Sequence, residues 1–186
     1  GALFNCIDSG HGGWGASASG DGAGPFRTMA HGDTRIIPLE LQESIYPYRY
    51  EELALREDSG GAGKHRGGLG FRKRYRMLAP CRLWLAFDRI ECPPWGVLGG
   101  NPGKPGRVTV FRKDGGEPEI YYKHDGIPLS PDDIVQIEAG GGGGYGPPAE
   151  RAADAIALDV RRGYVSAEAA ARDYGARVQP DGGMAG

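Results

Sequence analysis

The stretch EDSGGAGKHRGGLGF, residues 57–71, combines six glycines with one lysine, one histidine and one arginine. A glycine-rich backbone can present several N–H groups to an anion, and Lys64 and Arg66 could add positive charge. The stretch does not follow the phosphate-loop pattern G-x-x-x-x-G-K-[ST], and the segment after it alternates like a strand. Two interpretations stay open. The stretch is either a wide connection whose glycines take φ angles closed to other residues, or a loop that faces a ligand.

The segments that follow this stretch have the patterns of short strands. Residues 71–79 place apolar side chains on one face and arginines on the other, the apolar face being Phe71, Tyr75 and Met77. Residues 82–89 alternate in the same way, and Pro80-Cys81 between them predicts a hairpin. Further strands are predicted at 107–112, 119–123 and 133–138, separated by the turn segments KDGGEP and HDGIPLSPD.

The composition changes after the run GGGGGYGPP. Residues 149–162 are alanine-rich with helical spacing, and Gly163 suits a left-handed C-terminal cap. A second helix is predicted from the N-cap Ser166 to the stop at Gly175. We therefore predict a mainly β fold, an antiparallel sandwich or barrel, with a C-terminal helical hairpin, α+β overall. The predicted units are a glycine-rich β domain at 1–148, the hairpin at 149–175 and a flexible tail at 176–186.

The first part of the chain has few large apolar residues. Residues 11–26, HGGWGASASGDGAGPF, cannot form a core of their own, so they are expected to pack against another part of the protein. Residues 35–41 and 48–55 regain apolar alternation, with Tyr46-Pro47 as a break between them.

Charge and cysteine content exclude several classes. The 22 basic and 24 acidic residues give a net charge of -2, which argues against a nucleic-acid partner. Cys6, Cys81 and Cys92 lack the spacing of a disulfide framework or a zinc site and fit a reducing cytoplasm. No apolar run approaches the roughly 20 residues of a membrane helix, so no membrane association is expected.

Individual side chains give weaker signals. His11 and His31, with Asp8, Asp21 and Asp33 nearby, could bind a metal, but their spacing matches no ligand pattern. We favour solvated or hydrogen-bonded histidines, predict no metal on this chain and assign no catalytic residue. The tryptophans Trp14, Trp84 and Trp95 are predicted to be packing residues. Trp95 is also a candidate interface anchor.

Five separated stretches together resemble one family. They are P-x-E at 38–40, Y-P at 46–47, D-S-G-G-x-G-x-x-R-G-G at 58–68, G-G-G-G-Y-G-x-P at 141–148 and G-Y-V-S-x-x-A-x-x-x-x-Y-G at 163–175. In this order they resemble the C-terminal region of the hydantoinase B/oxoprolinase family. That family includes N-methylhydantoinase B-type subunits and the related acetone and acetophenone carboxylase subunits. The likeness covers nearly the whole chain.

The resemblance implies a subunit of an ATP-dependent complex. Such complexes hydrolyse cyclic amides such as hydantoins and oxoproline or, in the related branch, carboxylate ketones. An A-type subunit binds ATP and Mg²⁺ and phosphorylates a substrate oxygen, and the B-type part helps to complete the reaction. The alternative is a non-catalytic assembly subunit of such a complex.

The resemblance also implies partners, since B-type subunits run to several hundred residues. We expect a hetero-oligomer of this chain with an A-type subunit and the remaining B-type portion. The remaining B-type portion would hold a divalent metal. This chain is expected to hold no cofactor and to be inactive alone. The substrate is expected to be a small molecule. The candidate ligand-facing residues are Ser59, Gly60, Gly61, Gly63, Arg66 and His31.

Overall fold

A computed structural model describes residues 4–8, 10–26 and 37–179. A five-stranded antiparallel sheet has the order β1-β2-β7-β4-β5, and a two-stranded sheet pairs β3 with β6. The strands are β1 Tyr48–Leu55, β2 Phe71–Met77, β3 Cys81–Ala86, β4 Arg107–Phe111, β5 Glu119–Tyr121, β6 Lys123–Leu129 and β7 Ile134–Glu138. The helices are α1 Leu39–Ile45, α2 Ala153–Arg161 and α3 Ala167–Tyr174, with a 3-10 turn at Pro148–Glu150.

The two sheets share one hydrophobic core. The large sheet contributes Phe71 and Met77 from β2 together with buried valines of β4 and β7, and the small sheet contributes Leu85, Ile127 and Leu129. Each fully buried aliphatic side chain contributes about 1.5–3 kcal/mol relative to an exposed one. The mainly β prediction is therefore confirmed, with a sandwich-like arrangement of two sheets.

The predicted hairpin between residues 71–79 and 82–89 is wrong. Strand β2 pairs with β1 and β7, whereas β3 begins at Cys81 and pairs with β6 in the other sheet. The alternation in each strand identifies its buried face but carries no information about its partner. Both strands turn their apolar faces to the same core from opposite sheets, and the chain crosses between the sheets after Met77.

The segment HDGIPLSPD was predicted as a turn, but most of it belongs to β6. Gly126, with φ +71°, lies in a bulge where the register changes from Leu83 opposite Ile127 to Leu85 opposite His124. A bulge accommodates an Asp-Gly pair inside a strand, so the turn signal is misleading here. The turn itself is shorter, and the Asp133 carboxylate closes it by accepting the Ser130 N–H at 2.9 Å.

The apolar alternation at residues 35–41 does not continue as extended chain. Residues 37 and 38 lead into helix α1, while residues 35 and 36 lie outside the described part of the chain. The buried Gln42 fastens this helix to β1. Its side-chain oxygen accepts the hydroxyls of Tyr48 at 2.8 Å and Tyr50 at 3.0 Å, and its amide donates to the Ile37 carbonyl at 2.8 Å.

Four glycine-rich segments run side by side without forming a regular sheet. They are residues 10–26, 58–70, 95–104 and 139–146, and the run at 140–144 joins the others. Its carbonyls accept hydrogen bonds from the N–H groups of Gly13 at 2.9 Å, Gly61 at 2.8 Å and Val97 at 2.9 Å. The N-terminal segment thus gains the partners that it could not provide for itself. We refer to these four segments as the glycine bundle.

The glycine bundle requires glycine for close backbone approach. A Cβ added at Gly141, Gly142 or Gly143 would lie 1.9 Å from the carbonyl oxygen of three different segments, those of Ser59, Trp14 and Trp95 respectively. No glycine of residues 58–70 has a positive φ angle. The interpretation of residues 57–71 as a connection that needs unusual φ angles is therefore wrong, since these glycines serve contact between backbones.

The C-terminal helices form the predicted hairpin. The Ser166 hydroxyl caps α3 by accepting the Ala169 N–H at 3.1 Å, and Gly175 ends it with φ 67°. The first helix is shorter than predicted, because α2 begins at Ala153 after the 3-10 turn. Val178, from the predicted flexible tail, is buried against these helices, and residues 180–186 lie outside the described part. None of the described helices is long and apolar enough to cross a membrane.

The tryptophans are not core residues. Trp14, Trp84 and Trp95 expose 44%, 62% and 65% of their surface, so their predicted packing role is wrong. The guanidinium of Arg89 lies 4.9 Å above the Trp95 ring. The role of Trp95 as an interface anchor stays a prediction.

Adding a methyl group to the centre of the glycine bundle should destabilise the fold. We expect Gly142→Ala to lower the free energy of unfolding by at least about 2 kcal/mol, because the clash with the Trp14 carbonyl involves backbone that no side-chain rotation can relieve. Urea unfolding followed by circular dichroism measures this change. Gly20→Ala is the matched control, since its Cβ meets nothing within 4 Å. Equal midpoints for the two variants would contradict the close-packing argument.

Candidate functional site

A buried ionic network connects the glycine bundle to the C-terminal helices. The Arg151 guanidinium donates to the carboxylates of Asp21 and Asp159, each at 2.7 Å. Arg66 donates through Nε to Asp159 at 3.2 Å and through its backbone N–H to Asp21 at 2.7 Å. Its guanidinium also lies 5.2 Å above the Tyr164 ring. Two cations and two anions thus join three distant parts of the chain.

The charges of this network compensate one another. Arg66, Arg151 and Asp159 are each less than 9% exposed, so they cannot rely on water to stabilise their charges. Burial raises the pKa of Asp21, but the hydrogen bond and charge of Arg151, with the Arg66 N–H, outweigh burial and hold the pKa below its usual value. Removing one member would leave a remaining buried charge with fewer partners.

Asp58 provides a second link to the helices. This residue has φ +59°, a left-handed conformation that aspartate tolerates better than most side chains. Its carboxylate accepts the Ser166 N–H and hydroxyl, each at 2.8 Å, and its own N–H donates to the Tyr164 carbonyl at 3.1 Å. The start of the glycine loop is thereby fixed to the N-terminus of α3.

Two of the predicted ligand-facing side chains point into the interior. Ser59 is 0% exposed; its hydroxyl donates to the Arg56 carbonyl at 2.5 Å and accepts the Gly70 N–H at 2.9 Å. Arg66 is held by Asp159 and by the Gly67 carbonyl at 2.6 Å. These internal bonds, rather than a ligand, account for the polar groups of both residues. Gly63 is also buried, and His31 lies outside the described residues.

Gly60 and Gly61 border a polar pocket of about 240 Å³. The charged groups around it are Lys104, Arg172 and the carboxylates of Asp58 and Asp173. Arg172 is paired with Asp173 through two hydrogen bonds of 2.8 Å, and Asp58 is committed to Ser166. Lys104 is exposed and forms no ion pair with the described residues, so among the cations of this pocket it is best placed to meet a polar ligand.

A second, mainly apolar groove of about 310 Å³ lies on the inner face of the large sheet. Its apolar wall consists of Pro25, Leu39, Leu53, Ala54, Leu55 and Phe71, and His11 and Lys73 also line it. Lys73 is only 3% exposed, and its ammonium donates to Asp8 at 2.7 Å and lies 4.8 Å above the Phe71 ring. The groove therefore combines apolar walls with a neutralised charge.

Of the residues considered for a metal site, the three that the structure describes have other partners. Asp8 pairs with Lys73 and Asp21 pairs with Arg151, whereas His11 packs beside Phe71 with ring centroids 6.3 Å apart. His31 and Asp33 lie outside the described residues. In the part of the chain that the structure describes, no three His, Cys, Asp or Glu side chains form a group that could hold a metal ion.

Comparison with known proteins identifies the family. Residues 1–148 match the family model described as hydantoinase B/oxoprolinase. The chain belongs to this family. An uncharacterized protein of Methanocaldococcus jannaschii is 47% identical over 76% of this chain and 25% of its own length. The caprolactamase beta subunit of Pseudomonas jessenii is 33% identical over 91% of this chain and 30% of its own length.

Solved structures of relatives have the same fold. The ATP-dependent caprolactamase of Pseudomonas jessenii superposes with a TM-score of 0.76 at 28% identity, covering 94% of this chain and 31% of the caprolactamase chain. Acetone carboxylase in its nucleotide-free form gives a TM-score of 0.77 over 91% of this chain and 27% of its own, at 23% identity. The second likeness concerns the fold alone. In length, this chain spans between a quarter and a third of these relatives.

Sequence reasoning missed the residues that organise this family member. Lys73 occupies an inward position of β2 between Phe71 and Tyr75, so the alternation itself contained the signal. Asp159 lies next to the apolar stripe of α2, which is unusual for a solvated charge. Arg151 had no local signal, because its partner Asp21 is 130 residues away.

Removing the Arg151 guanidinium should weaken the attachment of the helices. We expect Arg151→Met to lower the free energy of unfolding by about 3 kcal/mol, because it leaves the buried Asp159 short of a partner. Chemical denaturation measures the loss. Arg161→Met, at an exposed position of α2, is the matched control and should change stability by less than about 0.5 kcal/mol. A network that contributes little to stability would give two similar values.

The depressed pKa of Asp21 predicts a stability change in acid. A carboxylate whose folded pKa lies below its unfolded value of 3.8 stabilises the fold fully above pH 3.8 and loses that contribution as the pH falls through the folded pKa. The difference in unfolding free energy between the wild type and Asp21→Asn should therefore shrink between about pH 4 and pH 2. The other carboxylates titrate in both proteins, so their contributions cancel in the difference between the wild type and the variant. A constant difference across this range would show that Asp21 does not titrate differently on folding.

Proposed function

We propose that this chain is part of the B-type subunit of an ATP-dependent enzyme that hydrolyses cyclic amides. The observation that supports this most is the likeness to the ATP-dependent caprolactamase, which extends over 94% of this chain at 28% sequence identity. It includes both the glycine bundle and most of the helical hairpin, because so little of the chain is left out.

The proposed chemistry begins with an amide that is too stable to react with water at a useful rate. In this proposal an A-type partner binds ATP and Mg²⁺ and transfers the γ-phosphoryl group to the amide oxygen, releasing ADP. Water then adds to the activated carbon, and the ring C–N bond breaks as the nitrogen takes up a proton, which gives an amine and an acyl phosphate. A second water hydrolyses the acyl phosphate to a carboxylate and phosphate. A divalent metal would be held by the remaining B-type portion.

The role of this chain in that scheme is to hold the loop at residues 58–68 in place and to position it for the substrate or for a partner's site. The glycine bundle fixes the loop at residues 58–68, and the ionic network of Arg66 and Arg151 keeps that loop against the helices. The backbone of Gly60 and Gly61 and the ammonium of Lys104 are the groups that border the polar pocket. They are therefore our candidates for contact with a substrate or with a partner's site. We place the complex in the cytoplasm, where three free cysteines can persist.

Two other functions have specific support. The inward orientation of Ser59 and Arg66 favours a non-catalytic assembly subunit, because the loop predicted to face a ligand uses its side chains for packing. The acetone carboxylase alpha subunit of Xanthobacter autotrophicus is 26% identical over 95% of this chain, and this sequence likeness supports ketone carboxylation as an alternative reaction of the complex.

Reconstitution separates these functions. The chain is combined with the A-type subunit and the remaining B-type portion from its own organism, and ATP hydrolysis is measured with ε-caprolactam, hydantoin, 5-oxoproline, or acetone plus bicarbonate. We expect stimulation by a cyclic amide that depends on the presence of this chain. Stimulation only by acetone and bicarbonate would favour carboxylation, and no stimulation by any of these substrates would contradict the proposal.

The pocket at Gly60 and Gly61 is tested in the same assay. We expect Lys104→Ala to reduce amide-stimulated turnover at least about tenfold while the complex still forms, since a charged hydrogen bond to a ligand is worth about 1.5–3 kcal/mol. Lys113→Ala, at another exposed lysine, is the control. Unchanged turnover in both variants, with intact assembly, would favour the non-catalytic role.

A further inference from the structure

Strand β1 is one edge of the large sheet, and its first half is protected. The Tyr50 N–H donates to the Glu43 carboxylate of α1 at 2.6 Å, and the Tyr48 N–H donates to the Tyr46 carbonyl at 2.9 Å. Helix α1 and the chain after it therefore satisfy the outward N–H groups of Tyr48 and Tyr50. An exposed edge strand offers such groups to any extended chain, and proteins commonly cover them.

In the second half of β1, residues 52–55, the backbone N–H and C=O groups of Leu53 and Leu55 point away from the sheet. The Arg56 N–H donates to the Gly70 carbonyl at 2.9 Å, so Arg56 faces the neighbouring strand segment. Backbone groups alternate in direction along a strand, which turns those of Leu55 and Leu53 away from β2. The Phe71 carbonyl opposite Leu55 accepts the Ala139 N–H at 2.9 Å, in agreement with this alternation. Within residues 4–8, 10–26 and 37–179, the backbone N–H and C=O groups of Leu53 and Leu55 form no hydrogen bond with a segment outside the sheet.

The side chains of the same residues leave an apolar surface open. Leu53 and Leu55 are 50% and 39% exposed, although both lie on the inner face of the sheet, opposite Lys73 and Phe71. They form a wall of the 310 Å³ groove described above. An extended segment added to this edge could bond to the backbone of both leucines and insert a side chain into the groove, which is the usual mode of strand addition.

The opposite edge of the sheet differs in each respect. Strand β5 has three residues, and its Glu119 carboxylate is engaged by Arg112 at 2.6 Å. A short, charged strand is a typical way of protecting a sheet edge. Strand β1 has eight residues with leucines at its open end. The two edges of the large sheet thus differ in strand length and in side-chain character. Of these two edges, β1 has the features of a docking edge and β5 does not.

We propose that residues 52–55 of β1 form a docking edge to which the remaining B-type portion adds an extended strand. This inference rests on the proposed function. The occupant is identified by the relatives, in which this region makes up 25% to 30% of a much longer protein. Because Asp8 already neutralises Lys73, the side chain that enters the groove should be apolar rather than acidic.

The test uses a tagged form of the remaining B-type portion from the chain's own organism, the same partner as in the reconstitution above. We expect this chain to co-purify with it at one-to-one stoichiometry. The double variant L53K/L55K should bind at least about tenfold more weakly, since two lysines oppose burial of the edge. Hydrogen exchange at the Leu53 and Leu55 amides should slow on binding, which a contact through side chains alone would not cause.

Ile120→Lys is the matched control, because Ile120 is an exposed apolar residue, 52% accessible, on the opposite edge strand. It should bind like the wild type. Equal binding by L53K/L55K, absence of binding by the wild type, or unchanged exchange at both amides would overturn the docking edge. A homodimer of this chain that L53K/L55K dissociates would overturn it in favour of a second copy. None of these results decides the proposed function, which is judged by amide-stimulated ATP hydrolysis in the reconstituted complex.

Discussion

The structure depends on backbone lying directly against backbone at the glycine run of residues 140–144. Successive glycines there meet carbonyl groups of three different segments, each where a Cβ would be only 1.9 Å from an oxygen. Such contact is possible only because residues 141–143 of the run have no side chains. It also satisfies the N–H and C=O groups of long irregular segments, which would otherwise be costly to bury. The high glycine content is thus a requirement of packing and does not indicate a disordered chain.

The ionic network complements this arrangement. The glycines of the bundle have no side chains with which to fix its position against neighbouring elements, so orientation comes from the polar residues between them. Asp21, Arg66 and Asp58 are such residues, and they bind Arg151, Asp159 and Ser166 of the helical part. Because these charges are buried, each of them needs closely placed hydrogen-bond partners. Long-range contacts of this kind turn three loosely connected segments into one rigid frame.

Local features were predictable from the sequence, and distant pairings were not. The inward face of Phe71 and Met77 follows from period-two alternation, and the ends of α3 follow from Ser166 and Gly175, because these signals act over a few residues. The partner of β2 and the ion pair of Arg66 with Asp159, 93 residues apart, depend on where the chain returns in space. The role of residues 57–71 was misjudged for the same reason. A glycine that admits another backbone looks, in one sequence, the same as a glycine that turns the chain.

The sizes of the two sheets explain why the β1 edge is open. Five strands spaced about 4.8 Å apart make a sheet roughly 20 Å wide, whereas two strands cover only a fraction of that width. The small sheet shares its core with Phe71 and Met77 of β2 and with the valines of β4 and β7, whereas the second half of β1, residues 52–55, lies outside that core. Helix α1 and the N-terminal segment cover part of it, up to Leu39 and Pro25. What is left is the apolar strip of Leu53 and Leu55, and a single further strand has the width and the hydrogen-bonding groups to close it.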